Sequence, residues 1–170
     1  MSKPADKSPA QVLSDLIAGI PFAMLTTIDR HGRLHSRPMT PQQEADDGTL
    51  WFLTDRRTHG AEEITLHPQV NVSFTESGEH RYVSCSGRAT LVDDRSQARK
   101  FWKPQYAVWF PVGPDDPNLV LLRVEIDHAD YWDSPDTWAG RLLAFAKALA
   151  TGDKSALETR GHLDLKGRAH

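Results

Sequence analysis

Apolar and polar residues alternate most cleanly between Val70 and Leu91. Val70, Val72 and Phe74 interleave with Asn71, Ser73 and Thr75, and then Val83, Cys85, Gly87, Ala89 and Leu91 interleave with Tyr82, Ser84, Ser86, Arg88 and Thr90. A period of two places successive side chains on opposite faces of a sheet, so the pattern predicts two half-buried strands. The second is long enough to bend across a barrel, and Gly78 occupies the hairpin position between them. Residues 22–28 and 34–40 form an earlier pair around the turn signal Asp29-Arg30-His31-Gly32. Pro38 cannot donate to a ladder and sets the returning strand at an edge or a bulge. Residues 49–54 predict a third strand, and Val120, Leu122, Val124 and Ile126 mark a last one.

Helical signals fall between and around these strands. Ser8 is a candidate N-cap with Pro9 at the first helical position, Val12, Leu16 and Ile20 sharing a face, and Gly19 as a terminator. Thr58 caps a short helix that Pro68 ends, and residues 95–102 predict another. Trp138, Leu142, Phe145, Ala146 and Leu149 form a helical stripe, giving a C-terminal amphipathic helix over 138–151. Residues 1–8 read as a flexible N-terminus and residues 152–170 as a loose polar tail. Helices do not alternate regularly with strands, which argues against a doubly wound parallel sheet. A mainly β fold results, an antiparallel barrel, closed or split, of at least six strands with short helices between some of them.

Composition narrows the function classes. A net charge of −3 and an isoelectric point near 6.2 argue against nucleic-acid binding, without excluding a local basic pocket for one phosphate. Cys85 is the only cysteine, so no intramolecular disulfide forms, and its place on the apolar face of its strand predicts an inert buried thiol. Residues 1–11 lack the apolar stretch of a signal peptide, and no apolar run reaches the roughly 18 residues of a membrane span. The expectation is a cytoplasmic protein without a membrane partner.

Two basic sites carry candidate chemistry. Arg37 precedes Pro38, which holds it in extended geometry, so its guanidinium either grips a phosphate or carboxylate from the rim of the sheet or stays solvated. At Thr54-Asp55-Arg56-Arg57-Thr58-His59-Gly60 a strand runs into a helix start, where free N–H groups and basic side chains favour an anion. Ordinary capping by Thr58 beside a solvated basic turn is the alternative. Both segments lie at strand rims where one ligand can touch both. His31 and His35 straddle a turn and offer no two-ligand metal geometry, and Asp115-Asp116-Pro117 reads as an acidic turn before a strand. Trp102, Trp109, Phe110 and Trp132 serve either as core or interface aromatics or as stacking surfaces for a flat ligand. No side-chain set for nucleophilic or paired-carboxylate catalysis is present, so no catalytic residue is assigned.

Taken in order, Arg37-Pro38-Met39, the run from Leu50 to Asp55 (LWFLTD), VNVSF from Val70, YVSCSGRA from Tyr82, WFPVGPDDP from Trp109 and YWDSP from Tyr131 resemble the pyridoxamine 5′-phosphate oxidase-like, FMN-binding split-barrel proteins. The resemblance is to their bacterial general stress branch and runs from about residue 10 to residue 137. It implies a six-stranded antiparallel split β-barrel over residues 9–137, a homodimer, and FMN, or else FAD, at the dimer interface. It further implies that Pro38, Met39 and Thr40 lie along the flavin ring and that Arg37 reaches the phosphate. Thr54, Asp55, Thr58 and His59 belong to the phosphate junction, and Trp109 or Phe110 covers the ring from the second subunit. The implied activity is that of a flavin-dependent oxidoreductase of unknown substrate. The alternative is a non-enzymatic protein that sequesters flavin or another flat cofactor.

One departure stands out. Relatives commonly carry a lysine, in a Ser-Ala-Lys-like run, where this chain has Thr58-His59-Gly60. Gly60 removes that cation, and losing one charge-assisted hydrogen bond costs ~1.5–3 kcal/mol, roughly 10- to 150-fold in affinity. Arg56, Arg57 and His59 are the neighbouring cations placed to compensate.

Overall fold

The computed structural model describes residues 7–42, 47–78, 80–133, 149 and 159–166. Its first element, α1 (Pro9–Ile17), begins in a reciprocal cap in which Ser8 Oγ accepts from the Gln11 amide and Gln11 Oε1 accepts from the Ser8 amide. The fully buried helix residues are Leu13 and Ile17, while of the expected Val12, Leu16 and Ile20, Leu16 is half-buried against the core and Ile20 is buried. The helix stops at Ile17 before Gly19 turns with φ +79°, so Ile20 reaches the core from the loop and is not on the helical period.

The strands are β1 (Ala23–Ile28), β2 (Leu34–Met39), β3 (Thr49–Asp55), β4 (Gln69–Glu76), β5 (Arg81–Val92), β6 (Leu119–Asp133) and β7 (Thr159–Asp164), with α2 (His59–Leu66) after β3 and α3 (Arg95–Phe101) after β5. They form one antiparallel sheet in the order β2-β1-β4-β5-β6-β3, and β7 pairs with β6. This is the mainly β split barrel that the sequence predicts. β2 and β3 stand at opposite ends of that order rather than side by side. They meet through one antiparallel bridge, in which the Gln42 amide donates to the Trp51 carbonyl at 2.7 Å. The Gln42 side chain is buried there and donates to the Tyr106 hydroxyl at 2.8 Å.

Two apolar clusters flank the sheet. The larger fills the barrel and includes Leu25, Leu50, Phe52, Val72, Phe74, Val83, Cys85, Leu122, Val124 and Ile126, with Ile64 of α2 and Leu13 and Ile17 of α1 packed into it. The smaller lies outside, where Leu119 and Leu121 of β6 meet Ala98 and Phe101 of α3 and Tyr106 and Phe110 beyond it. The first residues of β6 are therefore buried on both faces. Near its middle the register with β5 shifts, Ser86 facing His128 and Gly87 facing Ile126, so Asp127 is an extra residue.

Over Thr159–Asp164, β7 corrects the reading of residues 152–170 as a loose tail. Leu163 and Leu165 pack against the larger cluster, Arg160 lies 5.4 Å from the Trp132 ring centre, and His162 Nδ1 is 3.0 Å from Asp130. The strand is polar, but β6 supplies a ladder for it, and the larger cluster takes Leu163 and the following Leu165. The expected helix over 138–151 lies outside the described residues except for Leu149, and residues 1–6 of the expected flexible N-terminus lie outside them as well.

Candidate functional site

The site begins where β2 passes the first turn of α2. Pleating sends Arg37 to the same side of its ladder as Leu25, its partner on β1, and Thr27. Arg37 Nη2 donates to Thr27 Oγ1 at 2.8 Å and to Glu63 Oε2 at 2.6 Å. Thr27 Oγ1 also donates to the same Glu63 oxygen at 2.6 Å. His35 Nδ1 lies 3.1 Å from Glu63 Oε1, and the His35 ring also faces Asp29 at 3.7 Å. Glu63 and Thr27 are buried, whereas the Arg37 side chain keeps 28% of its surface.

Gly60 explains how Arg37 fits. A Cβ on Gly60 would stand 1.7 Å from Arg37 Nη1 and 2.9 Å from its central guanidinium carbon. The guanidinium thus occupies the volume that any side chain at position 60 would need. All its hydrogen bonds within the described residues run through Nη2, which leaves Nε and Nη1 as donor capacity toward the rim.

The rest of the strand-to-helix junction is internally satisfied. Thr58 caps α2, its Oγ1 accepting from the Ala61 amide at 3.3 Å and donating to the Asp55 carbonyl at 2.9 Å. Arg57 grips its near neighbour Asp55 through Nε and Nη2, at 3.0 and 2.6 Å, and Arg56 pairs with Asp93 at 2.6 Å. Hydrogen bonds from Arg57 hold the Asp55 carboxyl below its ordinary value against the upward push of burial. Both arginines are committed to carboxylates rather than set beside Gly60. His59 is almost wholly exposed, 3.8 Å from Glu62, and Thr54 sits half-buried opposite Val120.

Burial pushes the Glu63 carboxyl up, but hydrogen bonds from Thr27 and Arg37 and the charges of Arg37 and His35 outweigh it, leaving the group below the ordinary glutamate value of 4.5. A depressed folded-state value gives stability that is present above 4.5 and lost as pH falls through the lower folded value. Urea denaturation across that interval should show the wild type losing stability and Glu63→Gln losing less. Equal losses would mean that Glu63 is not a source of the acid sensitivity.

A second feature opens at the end of β2. Thr40 and Pro41 border a groove of about 780 Å³ whose other walls include Phe22, Lys103, Val108 and Trp109. Trp109 is 68% exposed, while Phe110 is buried against Trp102 and Leu119 in the smaller cluster. Of the two aromatics expected to cover a ligand, only Trp109 presents its ring outward. Phe22, Val108 and Val112 are exposed near it in the chain or in the groove, apolar surface of the kind that partners or ligands cover. Met39 packs against the barrel core, and Pro38 is exposed on the other side of β2.

Cys85 is fully buried, and burial pushes its thiol up to about 12, which makes it inert at neutral pH. No group of three or more metal-ligating side chains occurs among the described residues. Asp115 pairs with Arg99, and Asp116 Oδ1 accepts from the Asn118 amide, as in a closed acidic turn. No described helix is long and apolar enough to cross a membrane.

The seven junction residues Arg37, Thr54, Asp55, Arg57, Thr58, His59 and Gly60 therefore gather around the start of α2, and Thr40 and Trp109 share the groove. Thr27, His35 and Glu63 were missed by the sequence reading. Thr27 within the apolar run of β1, and Glu63 beside Ile64 on the buried side of α2, were the available signals.

Comparison with known proteins bears on this arrangement. Residues 8–156 match the family described as pyridoxamine 5′-phosphate oxidase like. Protein bli-3 of Neurospora crassa is 30% identical over 150 residues, covering 82% of this chain and 72% of that protein. General stress protein 26 of Bacillus subtilis is 33% identical over 118 residues, covering 68% of this chain and 81% of that protein. Among solved structures, general stress protein 26 of Bacillus anthracis superposes with a TM-score of 0.64 at 28% identity, over 72% of this chain and 92% of that one. The general stress FMN/FAD binding protein of Xanthomonas citri does so with a TM-score of 0.64 at 30% identity, over 74% and 89%.

Proposed function

The chain belongs to the pyridoxamine 5′-phosphate oxidase-like family, and we propose that it binds a flavin, FMN or alternatively FAD, between the two subunits of a homodimer. The observation that carries this reading is the adjacency along β2 of a guanidinium at the start of α2 and an apolar groove at Thr40 with the exposed Trp109 ring on its wall. A flat, partly apolar ring with a phosphate at one end matches that sequence of surfaces. The name of the Xanthomonas citri relative, a general stress FMN/FAD binding protein, supports it.

In this reading Pro38, Met39 and Thr40 run beside the ring, and Arg37 and the turn from Thr58 to Gly60 face the phosphate. Trp109 on the groove wall lies against the ring, and the second copy closes over it and shields it from water. A bound flavin supplies the electron-transfer chemistry, and the protein contributes position and electrostatics. The substrate class is a reductant and an electron acceptor that the flavin can serve. Oxidation of NAD(P)H by the loaded protein would mark an oxidoreductase, and its absence a protein that stores or carries the cofactor.

Titration of the purified protein with FMN, followed by tryptophan fluorescence, tests the reading directly. Saturable quenching is expected, with Trp109→Ala weakening binding roughly 3- to 10-fold through loss of an aromatic contact. Protein that ignores FMN, FAD and riboflavin alike would overturn it. Light scattering should give twice the mass of one chain.

A further inference from the structure

We propose that Glu63 sets how weakly this site reads the phosphate of a flavin, because its buried carboxylate already holds Arg37 on the bare backbone of Gly60. The proposal rests on the flavin reading above and names the residue that sets its specificity.

Three observations carry it. Glu63 Oε2 takes the shortest contact that Arg37 makes, at 2.6 Å, in the way a phosphate oxygen would. Thr27 donates to the same oxygen, so the carboxylate is fixed in place by its own supports. Finally, Gly60 carries no side chain, and the guanidinium fills the space that any side chain at position 60 would need. An incoming phosphate therefore meets a neutral pair rather than a free positive charge.

The other charged groups at this turn do not restore the attraction. Arg56 and Arg57 are paired with Asp93 and Asp55, and His35 faces the carboxylates of Glu63 and Asp29. His59, on the first turn itself, has Glu62 as its neighbour. Arg30 and Arg33 likewise face Glu62 and Asp29, so the basic groups around Arg37 all lie against carboxylates. What then distinguishes ligands is the groove at Thr40 and Trp109, which reads the ring and not the phosphate.

The expected consequence is a protein that takes riboflavin almost as well as FMN. Titrations of the wild type with the two ligands should give dissociation constants within roughly tenfold of each other. Glu63→Gln keeps the shape and both hydrogen bonds but removes the charge, so it should tighten FMN by roughly 10-fold and leave riboflavin unchanged. Arg37→Ala added to Glu63→Gln should cancel that gain, which would assign it to the guanidinium. A wild type that already prefers FMN by more than a hundredfold would overturn the proposal without any variant. So would a Glu63→Gln protein that binds FMN more weakly, or that tightens on both ligands equally. These failures leave ring binding intact and differ from a protein that binds no flavin, which would overturn both readings.

Discussion

Replacing Phe52 with alanine is expected to cost about 4 kcal/mol of folding stability. Phe52 has no exposed surface, and it stands on β3 opposite Leu122 of β6, inside the barrel cluster. Its ring lies among Leu50, Leu122 and Val124, which are themselves almost fully buried and interlocked, so they can collapse onto the space it leaves only in part. The cost has two parts, the transfer of a large apolar side chain back to water and the cavity that remains. For a chain of this length it corresponds to a fall in Tm of about 8–16 °C. Urea denaturation of Phe52→Ala against wild type measures it, and a loss below about 1 kcal/mol would show that the barrel collapses onto the hole.

A similarly large effect is expected from adding one methyl group. Gly87 lies at the register shift between β5 and β6, and a Cβ there would stand 2.2 Å from the Glu125 carbonyl oxygen and 3.0 Å from its carbon. Those atoms are backbone and cannot rotate away, so Gly87→Ala must push β5 and β6 apart. We expect a loss of about 3 kcal/mol, at the upper end for overpacking. Gly78→Ala is the control, because its Cβ would meet only the Glu76 carboxylate at 3.4 Å. It should change stability by less than about 0.5 kcal/mol, as surface substitutions do. Equal effects at the two positions would show that the close strand approach at Gly87 is not what excludes a side chain.

The same glycine shows what could be read from the sequence. In the alternation of β5 it is one more inward position between Cys85 and Ala89, and that much is visible in the pattern. The reason for a glycine is the bulge at Asp127 on β6, some forty residues later, and no local signal links the two. The bulge also hides the second half of β6. Leu122, Val124 and Ile126 face inward, but beyond the extra residue the inward position is Ala129, so the alternation breaks and the strand looks finished at Ile126. β7 was illegible for a related reason, since its Leu163 and the following Leu165 acquire meaning only beside the rest of the barrel.

The hairpins, the caps at Ser8 and Thr58, and the buried Cys85 are local or periodic, and they follow from the residues. Within the site, Arg37 and the start of α2 were recognisable as basic rims. Their meeting at one rim was expected too, but not that β2 and β3 lie at opposite ends of the strand order or that Thr27 and Glu63 hold Arg37 there. The position of Gly60 reads in the sequence as a cation removed. In the fold it is also a seat for the guanidinium of Arg37.

The single bridge between Gln42 and Trp51 has a mechanical consequence. Five continuous ladders make a strip of the six strands from β2 to β3, and such a strip bends without losing a bond. Among the described residues the two ends are joined by one backbone hydrogen bond, from Gln42 to Trp51, and Gln42 also holds Tyr106. The seam is therefore a polar latch laid over apolar packing, to which Met39 contributes from β2 and Leu50 and Phe52 from β3. Cutting the latch would loosen the seam, but parting the strands would also expose that packing.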